Sequence, residues 1–174
     1  MNLRPPIPED TDALLAFFER VPDGERTFFK ERAVDREAVA AWVRAPGCRV
    51  IAVDGDAVVG HVAVVPLPGW SDHVGELRLI VDPERRGQGI GRMLARRALL
   101  EAVALGVRKL VVEVVAEQDG TVAMFEALGF RAEGLLREHV RDGEGNLQDL
   151  IVLAHSLEEQ SALMTAVGID EALR

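Results

Sequence analysis

The stretch VDPERRGQGIGR, residues 81–92, decides the fold of this chain. An alternating apolar run precedes it and a long amphipathic segment follows it, so the stretch is predicted to join a β-strand to an α-helix. Its three glycines, Gly87, Gly89 and Gly91, leave the backbone free to adopt positive φ and to expose consecutive N–H groups. The following helix adds the positive end of its dipole. The turn is therefore predicted to bind an anion through its backbone.

The local charge favours a phosphate at this turn. From Asp82 to Arg97 the chain carries five arginines and two carboxylates, a local charge of +3, although its total charge is −9. An acidic chain repels polyanions at long range, which disfavours nucleic acid and anionic membranes as partners. A small molecule that carries a phosphate or pyrophosphate agrees with both the positive local charge of the turn and the negative total charge of the chain.

Three nucleotide-binding motifs compete for the turn. A P-loop requires a lysine and a serine or threonine after the glycines, and neither residue stands there. A dinucleotide-binding fingerprint requires a glycine where Arg92 stands, and the repeated crossover units of that fold do not precede the turn. The third motif, Arg/Gln-x-x-Gly-x-Gly/Ala between a strand and a helix, matches residues 86–91 at every specified position.

On these residues the sequence resembles the GNAT superfamily of acetyl-CoA-dependent N-acyltransferases. Residues 125–130, FEALGF, are similar to the Tyr-Glu-Lys-Leu-Gly-Phe signature of that superfamily. The last predicted hairpin, with Gly145 and Asp149 ahead of an apolar strand, is similar to its usual ending. The resemblance covers residues 3–157.

Apolar periodicity predicts the element order β-α-α-β-β-β-α-β-α-β-β. Hairpins flank one strand–helix–strand crossover, which indicates a mixed sheet with helices on its faces. With the resemblance, this predicts an α/β (α+β) fold: a GNAT-like mixed, mostly antiparallel central sheet of about seven strands, flanked by helices, with a central β4-α3-β5 crossover. The predicted strands lie near residues 2–4 and at 48–53, 57–65, 75–82, 110–115, 130–140 and 147–157.

Length and composition predict one globular domain, residues 1–157, followed by an acidic tail. The tail, residues 158–174, is predicted to form a short helix that docks either on its own sheet or on a second subunit, and a homodimer is what the superfamily implies for the second case. Cys48 is the single cysteine, so an intramolecular disulfide is excluded. Apolar runs are too short for a signal peptide or a membrane span. We expect a cytoplasmic protein without a membrane or nucleic-acid partner.

The resemblance implies acetyl-CoA as the cofactor and a site on either side of the turn. Its pyrophosphate is expected on the backbone N–H groups of residues 86–91, with Arg92 and Arg85 nearby. Its pantetheine arm is expected to pair with the strand before the turn, beyond a bulge near residues 79–81. The implied cofactor-binding residues are Leu79, Ile80, Val81, Arg86, Gly87, Gln88, Gly89, Ile90, Gly91, Arg92, Gln118 and Phe125, and no metal site is expected.

Catalysis of this type needs an oxyanion donor and a base. The resemblance implies that the backbone N–H of Val81 polarises the thioester carbonyl. Glu76, on the strand that enters the site, is one candidate base, and a structural ion pair with Arg78 is its alternative reading. Glu113, a carboxylate within an apolar strand, is the other candidate, again with an ion pair as the alternative. Further base candidates are His61 and His73, and Trp70 is either a wall of the acceptor site or a buried staple.

Two positions depart from the superfamily pattern. Phe125 stands where a tyrosine general acid is common, and the chain contains no tyrosine at all. Gln118 stands where an asparagine often contacts the cofactor. The proton for a departing thiolate must therefore come from water or from another group.

These features predict an N-acetyltransferase that moves an acetyl group from acetyl-CoA directly to a primary amine of a small molecule or protein. A non-catalytic acyl-CoA-binding regulatory module on the same fold is the alternative, kept open by Phe125. A redox or phosphotransfer enzyme that uses another nucleotide at the turn is a third hypothesis.

Overall fold

The computed structural model describes residues 1–22, 35–42 and 47–157. Its elements follow the predicted order, with short 3-10 turns at Pro8–Asp10, Gly69–Ser71 and Pro83–Arg85. The predicted tail at 158–174 lies outside the described residues. The elements are β1 (Asn2–Arg4), α1 (Thr11–Arg20), α2 (Arg36–Trp42), β2 (Cys48–Asp54), β3 (Ala57–Pro66), β4 (Val74–Val81), α3 (Ile90–Ala104), β5 (Lys109–Val115), α4 (Asp119–Glu126), β6 (Arg131–Arg141) and β7 (Leu147–Ser156).

Seven strands form one sheet in the order β1-β2-β3-β4-β5-β7-β6 across the described residues. Every neighbouring pair is antiparallel except β4 and β5, which are parallel because α3 carries the chain from the end of one to the start of the other. The predicted fold class, including the central β4-α3-β5 crossover, is confirmed.

Helices cover both faces of this sheet. On the face that we call the α3 face, Leu94 and Ala98 of α3 and Phe125 of α4 pack on inward side chains such as Leu77 and Val112. On the opposite face, the α1 face, Phe17 and Phe18 of α1 and Trp42 of α2 join side chains such as Ile51 and Ile80. Side chains alternate between these two faces along each strand, so neighbouring residues of β4 serve different layers.

Candidate functional site

The sheet opens between its two parallel strands. Only three residue pairs join β4 to β5, from Val74 with Lys109 to Glu76 with Val111. Beyond the last pair the strands diverge, and a cleft of about 650 Å³ lies between them. We call it the β4–β5 cleft. It is lined from both faces of the sheet by Leu77, Arg78, Leu79, Ile80, Val81, Arg86, Gly87, Gly89, Gly91, Arg92, Val112, Glu113, Val114, Val115, Gln118, Gly120, Thr121, Met124 and Phe125.

The bulge that we expected near residues 79–81 is not present. Strand β4 pairs with β3 in one continuous register from Gly75 to Val81. The divergence arises instead because the β4–β5 ladder ends after Glu76, so β5 leaves β4 while β4 stays on β3.

The edge of β4 that faces the cleft carries backbone donors. The N–H of Asp82, directly after β4, donates to the carbonyl of Val59 on β3 at 3.0 Å. Because successive residues of a strand direct their N–H groups to opposite edges, those of Leu79 and Val81 point away from β3 and towards the cleft. An extended ligand that carries amide groups fits this edge as an added strand does.

The glycine turn closes one end of the cleft. Gly87 and Gly89 have φ values of +73° and +80°, which few residues other than glycine adopt. Gly89 is the N-cap of α3, and the N–H of Met93 donates to its carbonyl at 3.1 Å. Apart from the glycine itself and its two neighbours in sequence, no protein atom lies within 4 Å of the position that a Cβ would take on either glycine. The turn is therefore an open cradle of backbone donors at a helix N-terminus, as an anionic phosphate requires.

The three arginines that we assigned to this region have two different roles. Arg86 and Arg92 line the cleft and supply positive charge beside the cradle. Arg85 turns away: its guanidinium pairs with Asp54 of β2, and its Nε donates to Gln88 Oε1 at 3.2 Å. Gln88 is outside the lining, and Ile90, the first residue of α3, is buried in the core.

Helix α4 supplies the opposite wall of the cleft. Gln118 stands at its N-cap and lines the cleft together with Thr121 and Met124. Phe125 also lines the cleft, but it is only 1% exposed and its ring packs edge-on against Phe130 at 5.1 Å. The ring that replaces the expected tyrosine thus anchors α4 to the core.

The α1 face of the cleft is charged. Arg78 of β4 and Glu113 of β5 both line the opening, each at the second position beyond the last pair of the β4–β5 ladder. Glu76, one of the two base candidates, is 9% exposed and accepts hydrogen bonds from Arg78 Nη2 at 2.8 Å and Arg78 Nε at 3.2 Å. Among the described residues that line the cleft, Glu113 contributes the carboxylate, whereas Glu76 stands behind Arg78.

The remaining candidates lie away from the cleft lining. His61 is fully buried on the α1 face between the rings of Phe18 and Trp42. Burial lowers the pKa of its imidazole to about 3, with a smaller contribution from the positive charge of Arg49. His73 is exposed, and Trp70, fully exposed in the β3–β4 loop, neither staples the core nor lines the cleft.

Sequence reasoning missed eight lining residues: Leu77, Arg78, Val112, Val114, Val115, Gly120, Thr121 and Met124. Helical spacing offered a signal for two of them, because Thr121 precedes Met124 by three residues and Phe125 by four on the same helix, and both spacings place side chains on one helix face. Arg78 had a signal in its strand, where it alternates with the apolar residues of the other face.

Comparison with known proteins identifies the class to which this arrangement belongs. Residues 11–130 match the sequence profile of the acetyltransferase (GNAT) family, and the chain belongs to that family. The resemblance noted from the sequence is confirmed. Members of this family use acetyl-CoA as cosubstrate.

Particular relatives share different parts of the chain. N-acetyltransferase 8F1 of Rattus norvegicus is 32% identical over 97 residues, which are 54% of this chain and 44% of that protein. Peptidyl-lysine N-acetyltransferase YjaB of Salmonella typhimurium is 28% identical over 136 residues, 77% of this chain and 86% of that protein. The chain spans about half the length, or less, of the first curated relatives that it matches.

A solved structure shares the fold. A GNAT superfamily phosphinothricin acetyltransferase from Sinorhizobium meliloti, in complex with acetyl-CoA, superposes with a TM-score of 0.75 at 24% sequence identity. The superposition covers 89% of this chain and 87% of that chain.

No described helix is long and apolar enough to cross a membrane.

Proposed function

We propose that this protein transfers an acetyl group from acetyl-CoA directly to a primary amine. The observation that carries the proposal is the β4–β5 cleft, which joins a backbone-donor edge and a glycine cradle on one side to a carboxylate on the other. Family membership supports the same reaction.

The residues of the cleft fit acetyl-CoA in three places. The cradle at Gly87 and Gly89, flanked by Arg86 and Arg92, suits the pyrophosphate. The N–H groups of β4 suit the amides of the pantetheine arm. The apolar side chains of β4, β5 and α4 line the space between them and suit the aliphatic parts of the pantetheine arm. When bound there, acetyl-CoA supplies an activated acetyl group as a thioester.

The backbone of β4 also suits the role of oxyanion donor. The N–H of Val81 points into the cleft, and that of Leu79 lies on the same edge. A fixed N–H dipole aimed at a developing negative charge stabilises it without reorganisation. We therefore keep Val81 in the role that the sequence predicts and add Leu79 as a neighbouring donor.

Glu113 is our proposed general base. An amine must lose a proton before or during attack on the thioester, and the carboxylate nearest to the reaction must accept it directly or through a water molecule. Glu113 lines the cleft, whereas Glu76 does not line it and accepts hydrogen bonds from Arg78 farther from the opening. In this scheme Glu76 orients Arg78, and Arg78 keeps a positive charge across the opening from Glu113.

The leaving thiolate has no phenol beside it. Phe125 occupies the position of the usual tyrosine and carries no transferable proton. We propose that water supplies this proton after the bond has broken, because a thiol is acidic enough, with a pKa of about 8.5, for its thiolate to leave without prior protonation.

The acceptor is an amine of a small molecule or a protein. The acidic chain, with a net charge of −9, favours a cationic acceptor by long-range attraction. A relative of similar length is named as a peptidyl-lysine N-acetyltransferase, which supports a lysine side chain as one acceptor to test. The homodimer and the cytoplasmic location expected from the sequence stay predictions.

The first experiment is calorimetric titration of the purified protein with acetyl-CoA, CoA, NADH and ATP. We expect binding of the two CoA compounds alone. A thiol-release assay with an amine panel, including polyamines, free amino acids and a lysine peptide, then identifies the acceptor. Failure of a folded sample to bind either CoA compound would remove the proposed function.

The non-catalytic alternative predicts a different result in the same pair of assays. The replacement of the usual tyrosine by Phe125 is the observation that favours it. A regulatory module would bind acetyl-CoA with the same selectivity but release no thiol with any amine of the panel.

A further inference from the structure

One ion pair joins the α1 layer to the start of the glycine turn. Arg20 is the last residue of α1, and Asp82 is the first residue after β4. Arg20 Nε donates to Asp82 Oδ2 at 2.7 Å across 62 positions of sequence. The Asp82 side chain is only 5% exposed. A carboxylate so deeply buried requires a cation or several donors to remain ionised in the folded protein.

Asp82 fixes the turn in two further ways. Its Oδ1 accepts a hydrogen bond from the N–H of Glu84 at 3.1 Å, which caps the short 3-10 turn that leads into the glycines. Its own N–H donates to the carbonyl of Val59 on β3 at 3.0 Å. One residue thus ties the end of β4, the entry of the turn and the neighbouring strand together.

Arg20 is held as firmly as its partner. Its Nη2 donates to the carbonyl of Val58 on β3 at 2.9 Å, and its Nη1 donates to the carbonyl of Ala16 one turn earlier in α1. All three guanidinium nitrogens therefore have acceptors. The planar, rigid fork of arginine satisfies these acceptors together, which the single ammonium of lysine cannot do.

We propose that Arg20 is a positioning residue for the phosphate cradle. This inference rests on the proposed function. Arg20 does not line the cleft and belongs to the opposite layer of the molecule. It neutralises Asp82 and so lets that carboxylate stay buried, where it orients the turn through Glu84. The cradle binds its anion through backbone N–H groups, so small displacements of the turn weaken several hydrogen bonds at once.

Loss of the guanidinium leaves a buried carboxylate without its cation. Such a group is strongly destabilised and moves towards water if the chain allows it. The turn at residues 83–89 is mostly exposed and is therefore free to follow. The acetyl-CoA affinity is expected to fall although the lining residues are unchanged.

Three variants test this role. Arg20→Met removes the charge but keeps an unbranched apolar stem, and Arg20→Lys keeps the charge without the fork. Arg97→Met is the matched control, because Arg97 also pairs with a carboxylate, Glu101, and its side chain has the same 38% exposure as that of Arg20. Arg97 does not line the cleft.

Two measurements separate positioning from plain stability. The dissociation constant for acetyl-CoA is measured by calorimetry well below the melting temperature of each variant. Hydrogen exchange of the backbone amides of residues 84–91 is measured without any ligand. We expect Arg20→Met to raise the dissociation constant at least about tenfold and to accelerate exchange in the turn. Arg20→Lys should lie between it and the wild type, and Arg97→Met should remain within about twofold of the wild type.

A double variant sharpens the result. In Arg20→Met with Asp82→Asn the buried group is neutral, so the double variant should bind acetyl-CoA no more weakly than Arg20→Met alone. If the dissociation constant of the double variant rises by the product of the two single increases, the two residues act independently and the proposal is overturned.

Other outcomes are equally decisive. If Arg20→Met is less stable but binds acetyl-CoA as tightly as Arg97→Met, the ion pair is structural only and the inference is wrong. If Arg20→Met does not fold, the same comparison is made with Arg20→Lys and Asp82→Asn. A wild-type protein that binds no acetyl-CoA would overturn the proposed function and this inference with it.

Discussion

The two sides of the β4–β5 cleft are built from different parts of the chain. On one side, the cradle at the start of α3 and the cleft-facing edge of β4 present backbone N–H groups from one continuous stretch, residues 79–91. On the α1 face, the cleft presents the side chains of Arg78 and Glu113, which come from separate strands. Binding of an anion in the cleft therefore depends on backbone conformation, whereas acceptance of a proton depends on individual charged side chains.

We expect the strongest loss of acetyl-CoA binding from a substitution that disrupts only the backbone donors of the cradle. Gly89→Asp places a side chain and a negative charge at the N-terminus of α3, inside the cradle. We expect the dissociation constant for acetyl-CoA to rise about 100-fold or more, because repulsion adds to the loss of donor geometry. Calorimetry on the folded variant measures it.

Gly106→Asp is the control for backbone strain. Gly106 follows the other end of α3 with a φ of +75°, close to the +80° of Gly89, and it too has open space around its Cβ position. Its variant should lose about 1–2 kcal/mol of stability and keep its acetyl-CoA affinity. Equal affinities in the two aspartate variants would place the anion elsewhere.

A substitution among the charged side chains should lower the rate of catalysis and leave the backbone donors of the cleft intact. Glu113→Gln should lower kcat by about 10²- to 10⁴-fold, because the glutamine amide accepts no proton at neutral pH. The acetyl-CoA dissociation constant should stay unchanged, since backbone groups hold the cofactor. Steady-state kinetics with the acceptor found in the screen, together with calorimetry, provide the two values.

Glu76→Gln distinguishes the two carboxylates. Its effect on kcat should be smaller, because Glu76 contacts Arg78 and does not line the cleft. A kcat that falls further in Glu76→Gln than in Glu113→Gln, with loss of the acidic limb of the pH–rate profile, would exchange the two roles.

A separate effect, on stability and not on binding or catalysis, concerns His61 on the α1 face. Its pKa is about 3 in the folded protein because it is buried, against about 6.5 for an imidazole in water. The unfolded chain therefore binds a proton that the folded protein does not. The contribution of His61 to the free energy of unfolding is fully present above pH 6.5, and it falls by about 1.4 kcal/mol per pH unit as the pH decreases towards 3.

The matched comparison for this residue uses two glutamine variants. His61→Gln removes the titrating group and should flatten the dependence of the unfolding free energy on pH between 6.5 and 3. His139→Gln, at an exposed position of β6, should leave the slope of the wild type unchanged. Chemical denaturation at several pH values measures both, and parallel curves for all three proteins would contradict a buried neutral imidazole.

The backbone side of the cleft could be predicted from the sequence better than its side-chain side. The glycine spacing at residues 87–91 and the strand and helix around it are local features, and local periodicity suffices to recognise them. The choice between Glu76 and Glu113 depends on where the β4–β5 ladder ends, which is a property of two strands that are distant in sequence. The expected bulge was wrong for the same reason. The orientation of Arg85 away from the cleft likewise depends on Asp54, which belongs to another hairpin.

On the proposed function, the early end of the β4–β5 ladder also links the stability of the protein to the concentration of its ligand. A ligand that binds only the folded state adds RT ln(1 + [L]/Kd), or about 2.7 kcal/mol when its concentration is 100 times the dissociation constant. The edge of β4 beyond Glu76 offers backbone N–H groups with which an extended ligand that carries amides can pair as an added strand does. The supply of acetyl-CoA would then set how much of this protein survives heat and proteolysis, so its abundance would follow the metabolic state even when its synthesis is constant.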